Sequence, residues 1–211
     1  MIQLSDEHYL GRGRTRECFI DPRDPHRCIK VDFRNLGFRQ TEKEALYYAK
    51  LARLKPDLVY NFIPKFHGMV ETSRGPGGVF DLIADEGTTR AASTMRQYIT
   101  DGSIPNDPES WDTYLSQFLN RLIESGVIVR DIRPANLCAR KMLDGSFELV
   151  AIDGIGHRDF LPLCDYSIKF ARRRLRRIIS GKNMWSIQSM LKHHVKPPKP
   201  APAQAPVEVS P

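Results

Sequence analysis

The chain of 211 residues has no apolar run near 18 residues, so nothing in it reads as a membrane-spanning helix. It opens without a basic stretch followed by an apolar one, and the expectation is a soluble protein of the reducing cytoplasm. Its four cysteines, Cys18, Cys28, Cys138 and Cys164, show no CxxC spacing, which argues against a zinc site and against a disulfide framework. The six histidines are scattered, with no ligand pair on a helix face. Internal repeats are missing too. Acid is lacking from one stretch, residues 169–182, KFARRRLRRIISGK, whose seven Lys or Arg equal the whole formal excess of +7. The remainder of the chain is therefore balanced in charge.

Against these absences stands the run IVRDIRPANL at residues 128–137. Asp131 and Asn136 have the spacing of a protein-kinase-like catalytic loop. In-line phosphoryl transfer needs a carboxylate to orient the acceptor hydroxyl and a nearby carboxamide oxygen on a metal, both on one short rigid loop. Asp131 fits the first role and Asn136 the second. Arg133 would act as a charge clamp on the transferring group, and Pro134 stiffens the turn. Val129 stands where the family pattern has His, which removes a hydrogen-bonding support of the loop. The plain alternative is an Asp-initiated turn between strands with Asn136 as a local cap.

Further motifs lie in the right order. A strand-like segment at residues 148–152 ends in Asp153-Gly154-Ile155-Gly156, where kinase-like chains place a metal-binding Asp; Gly154 occupies the position of their Phe. Near the start, LGRGRTRECF resembles a glycine-rich nucleotide loop, with Gly11 and Gly13 matching. Arg16 replaces the third glycine and suggests a loop that uses a side-chain charge as well as amides. One hairpin later CIKV resembles the strand whose lysine binds phosphates, making Lys30 the candidate. Gln40 to Leu54 reads as a helix with Ala45, Tyr48, Ala49 and Ala52 on its apolar side. It would pair a glutamate with Lys30, Glu44 or alternatively Glu42.

The remaining segments give expectations of position. Residues 66–71 and 79–84 read as strands around a turn, and Asp85-Glu86-Gly87 falls where a hinge would meet adenine. A short helix is expected at 94–100. A longer one at 108–125, capped by Asp107, carries Trp111, Leu115, Phe118, Leu119 and Leu122 on one stripe and stops at Gly126. Cys18 and Cys28 fall on strands expected to pair, as near neighbours beside a nucleotide or simply as buried thiols. Cys164, Ile168, Ala171, Leu175 and Ile178 recur at helical spacing, giving an amphipathic helix whose arginines face elsewhere. That face suits an anionic ligand, a lipid surface or nucleic acid, or is merely solvated. Residues 184–194 suggest a last short helix, and the proline-rich stretch at 196–211 reads as an extended, disordered tail. His157 is read as surface or as lining of an acceptor site.

The motifs LGRGRTRECF, CIKV, EKEALYY, VRDIRPANL and IDGIG, in order over residues 10–165, identify a resemblance to the bacterial YrbL family. That family is named for the PhoP regulatory network and is itself similar to the protein-kinase-like superfamily. The resemblance implies an α+β, two-lobed fold with a small antiparallel-sheet N-lobe at 1–87 and a reduced, mainly helical C-lobe at 88–195. It also implies ATP and magnesium as cofactors. The chain is short for a full kinase C-lobe and carries no Ala-Pro-Glu segment, so a peptide-docking platform is not expected. Two functions follow. One is an atypical phosphotransferase on a small or envelope-derived acceptor, with phosphoryl or nucleotidyl transfer both open. The other is a nucleotide-binding regulatory module without turnover.

Overall fold

The computed structural model describes residues 1–33, 40–102, 108–156 and 163–180. His157, the Asp107 cap, the helix at 184–194 and the tail at 196–211 lie outside the described residues.

Alternation sets up the first sheet. Strands β1 (Tyr9–Arg12), β2 (Arg16–Asp21), β3 (Asp24–Asp32), β4 (Phe66–Thr72) and β5 (Gly75–Asp81) form one antiparallel sheet in the order β1-β2-β3-β5-β4. On β3, Ile29 and Val31 point to one face and join Leu4, Phe19 and Val79 in a small cluster. Cys28 and Lys30, one residue out of phase, must point to the opposite face. Glycines thin β5 where neighbours press on it: a Cβ at Gly77 would lie 2.7 Å from Ile29 Cγ2, and one at Gly78 2.7 Å from Thr41 Cγ2. The strand pair turns at residues 73–74, since Thr72 pairs with Gly75. The expected turn was longer because its glycines belong to the strand.

Helix α1 (Gln40–Leu54) covers the sheet with Thr41, Glu44, Tyr47, Tyr48 and Leu51, all buried. The alanine stripe expected inward is only partly so, with Ala49 and Ala52 exposed. Methyl groups offer too little apolar area to compete with Tyr47, Tyr48 and Leu51, whose burial contributes roughly 1.5–3 kcal/mol for a large side chain.

Beyond the sheet the chain becomes helical. Thr94 caps α2 (Met95–Asp101) through a reciprocal bond pair with Gln97, and Gly102 ends it in the left-handed conformation. In α3 (Pro108–Ser125) Trp111, Leu115, Phe118 and Leu122 are buried, the stripe that the spacing predicts. Trp111 stacks on Phe147 at 5.1 Å. A hairpin of β6 (Leu137–Lys141) and β7 (Phe147–Ala151) follows the loop at residues 128–136. Short α4 (Leu163–Tyr166) leads to α5 (Ile168–Ile179), which buries Ala171 and Leu175. Arg172 Nε donates to the carbonyl of Ile123 at 3.1 Å, fastening α5 to α3. Sheet, crossing helix, linker and helical second half make an α+β, kinase-like fold.

Candidate nucleotide and metal site

The two halves meet at a cavity of about 420 Å³. Its wall includes Gly11, Gly13, Arg16, Cys18, Cys28 and Lys30 from the sheet, and Asn136, Cys138 and Asp153 from the second half. The size lies within the usual range for small-molecule sites, roughly 300–1,000 Å³. The turn between β1 and β2 is closed by Gly13 N–H donating to Arg16 O at 2.8 Å.

Lys30 is buried, its Nζ donates to the carbonyl of Ile152 at 2.5 Å, and it stands 4.4 Å above the Phe80 ring. It therefore does not pair with α1 as expected. Glu44, the first of the two candidates, is held by Arg16, which donates to Glu44 Oε2, and neither Glu44 nor Glu42 lines the cavity. The same guanidinium donates to Asp153 Oδ1 at 2.5 Å. Arg16 has the reach and the planar fork to touch two carboxylates, where an ammonium would serve as a point charge. Glu44 Oε1 is left without a hydrogen-bond partner among the described residues.

The loop side is tied together by main chain. Asn136 Nδ2 donates to Asp131 O at 3.0 Å, and Ile152 N–H donates to Asn136 O at 2.9 Å, so the two candidate metal residues are fixed on adjoining backbone. Asp153 Oδ1 also accepts Gly154 N–H at 2.7 Å. Burial alone would raise the Asp153 carboxyl, but the Arg16 guanidinium and then Lys30 hold it below the usual carboxylate range. Asp131 is half-buried, outside the cavity wall, and pairs with Arg133 at 2.7 Å.

Gly154 explains the lost Phe. Its φ is +75°, and a Cβ there would lie 2.8 Å from the Asp131 Cβ, so the turn presses its backbone onto the loop that carries Asp131. Asp85-Glu86-Gly87 does not meet the cavity; Leu82 and Ile83 do. Asp85 and Glu86 instead accept N–H bonds from Lys141 at 3.0 Å and Leu143 at 2.8 Å. Those side chains hold the β6–β7 hairpin.

Two contributors escaped the sequence reading. Cys138 enters the wall because it follows Asn136 by two residues, a signal available in the spacing. Tyr47 Oη accepts the Ile128 N–H at 2.9 Å, a contact across 81 residues that no local pattern carries.

Asn136 and Asp153 supply oxygen donors, the type that suits magnesium. Among the described residues no three His, Cys, Asp or Glu side chains converge on one ion position. An ion there would draw most ligands from phosphate and water, as magnesium commonly does. The fit is thus to a hard, shared cation.

Comparison with known proteins agrees with these motifs. The sequence profile described as "PhoP regulatory network protein YrbL" matches residues 2–181. The proteins described as "Uncharacterized protein YrbL" from Escherichia coli (strain K12) and Shigella flexneri are each 31% identical over 170 residues, covering 79% of this chain and 79% of theirs. The Mycobacterium tuberculosis PknI kinase domain, in a point-mutant form, superposes with a TM-score of 0.46 at 18% identity, over 71% of this chain and 59% of that one. The kinase-like assignment rests on the strand order and on the loops that meet at the cleft. By sequence, the chain belongs to the YrbL family of PhoP regulatory network proteins.

Proposed function

We propose that the protein is an atypical ATP- and magnesium-dependent phosphotransferase acting on a small or envelope-derived acceptor. What supports this most is the convergence of Gly11, Gly13, Lys30, Asn136 and Asp153 on one cavity from both ends of the chain. The glycine turn lets backbone amides approach phosphate, and Lys30 adds a buried positive charge. Asn136 and Asp153 would hold magnesium, which neutralises phosphate charge when bound. Asp131 orients the acceptor hydroxyl and takes its proton, while Arg133 fixes the Asp131 carboxylate and places a positive charge beside it.

A second reading, a nucleotide-binding regulatory module without turnover, draws on one observation. Asp131 and Asp153 are both engaged by arginines. In either reading the cationic face of α5 meets an anionic partner surface, with Arg173, Arg176 and Arg177 exposed and no acid on the helix. No helix among the described residues is long and apolar enough to cross a membrane. We place the protein's work in the cytoplasm.

The test combines thermal shift with ATP and magnesium and an untargeted mass-spectrometric search for phosphorylated or nucleotidylated products. Asp131→Asn should spare binding and slow transfer by about 10² to 10⁴, the contribution of a positioned base. Unchanged turnover in that variant favours the regulatory module. Magnesium-dependent binding that survives Asp153→Asn intact removes Asp153 from the metal site.

A further inference from the structure

Three of the four cysteines stand on the wall of the same cavity: Cys18 and Cys28 on the sheet side, Cys138 opposite on β6. The register places Cys18 directly across from Lys30, with Cys28 two residues before that lysine on the same face. The three thiols are not equivalent. Cys28 and Cys138 are each 5% exposed, and their sulfurs lie 3.7 Å from Asp81 O and 3.6 Å from Ala92 O. Cys18 is the more accessible, and it begins two residues after Arg16.

Its surroundings favour the thiolate. The neighbouring Cys28 side chain, and then the positive charges of Lys30 and Arg16, act against burial and hold Cys18 below the ordinary thiol range. Cys28 is raised by its Cys18 neighbour and by burial. The thiolate is the nucleophile in thiol chemistry, and of the three Cys18 is the one that is half-buried instead of buried and that stands directly across from Lys30.

We propose that Cys18 is a covalent modification site for low-molecular-weight disulfides and soft electrophiles, and that an adduct there closes the cleft. The closing half rests on the nucleotide reading above; the reactivity half does not. With glutathione disulfide the step balances without a further oxidant. The Cys18 thiolate sulfur attacks one disulfide sulfur, a new S–S bond forms to that glutathionyl group, and the other glutathione departs as thiolate. The proton lost from Cys18 passes to solvent. The adduct then occupies the wall opposite Lys30.

The full chain, treated with iodoacetamide and separately with glutathione disulfide, is quenched at intervals and digested for peptide mass spectrometry. Cys164, outside this cavity, is the internal reference. Cys18 should label several-fold faster than Cys164, because the larger thiolate fraction is only partly offset by the lower nucleophilicity of a more acidic thiol. Cys18→Ser should leave the other three slow, with its folding checked by circular dichroism. Labelling of Cys18 no faster than Cys164, or of Cys28 or Cys138 first, overturns the site. ATP with magnesium should slow Cys18 labelling. Fast labelling untouched by nucleotide, in protein whose thermal shift shows nucleotide bound, overturns the closing half. Fast labelling in protein that binds no nucleotide at all upholds the reactive site and refutes the nucleotide reading instead.

Discussion

Replacing Arg16 with methionine removes the guanidinium that bridges Glu44 and Asp153. The Arg16 and Glu44 side chains are 6% and 3% exposed, so the stranded Glu44 carboxylate would have almost no water to turn to. One of its oxygens is already without a partner among the described residues, and the substitution takes the partner of the other. Breaking one side of a buried pair costs ~3–5 kcal/mol. The Asp153 arm adds little to that figure, because its side chain is 36% exposed and solvent screens it. At ~2–4 °C per kcal/mol for a chain of this size, the melting temperature should fall by roughly 6–20 °C. Urea unfolding followed by fluorescence reads the loss directly, since Trp111 is 1% exposed in the folded state. The double variant Arg16→Met with Glu44→Met removes both charges and should recover most of the loss, with a coupling of at least ~2 kcal/mol in the double-mutant cycle. Arg16→Met within ~1 kcal/mol of the parent, or two single losses that simply add, would refute the buried tie between the glycine turn and α1.

Gly154→Ala should destabilise by ~1–3 kcal/mol, from a positive φ and from the Asp131 Cβ in its path, and should weaken acceptor turnover more than nucleotide binding. Equal losses in both would mean that the turn does not press on Asp131. The pH dependence follows from Asp153, whose carboxyl is depressed in the folded state chiefly by Arg16 against its own burial. Its contribution is therefore complete above the unfolded value of about 3.9 and is lost as pH falls through the lower folded value. Urea midpoints should be flat with respect to this group from pH 7 to 5 and decline in acid, and Asp153→Asn should make that acid decline shallower. An unchanged acid limb in the variant would show that Asp153 is not held by Arg16.

The legible part of the fold was whatever period and turn chemistry write locally. The α3 stripe from Trp111 to Leu122 follows from helical spacing, and α2 announces its cap in Thr94 and Gln97. The stretch at 128–137 and Asp153 pointed to one site because their order matched a family pattern. The structure brings Asn136 and Asp153 to one cavity and leaves Asp131 beside it. Illegible were choices made by competition across the chain. Ala49 lost the inward face of α1 to Tyr47 and Tyr48, and Lys30 lost Glu44 to Arg16. Each outcome depends on which side chain fills a space that the sheet and the second half create together. Residue spacing along α1 or β3 contains no record of that space.

The departures from the kinase pattern are best understood as one set. Val129, in place of the pattern's His, is fully buried and its main chain bridges Ile155, so the loop is held by backbone where a ring would hold it by side chain. Arg130 N–H donates to Gly154 O at 2.8 Å, Arg130 Nε donates to Gly156 O at 2.9 Å, and Gly156 N–H donates to Ile128 O at 2.8 Å. Tyr47 Oη then accepts the remaining Ile128 N–H from the α1 side. Gly154 is what lets the two backbones come this close, because any side chain there would meet Asp131. A backbone ladder between residues 128–130 and 154–156 thus holds the loop, and Gly154, at a positive φ against Asp131, leaves the room for it. Placing His at Val129 alone would put a ring into a closed apolar space and destabilise the loop it was meant to support, because the polar partners of such a ring would still be missing.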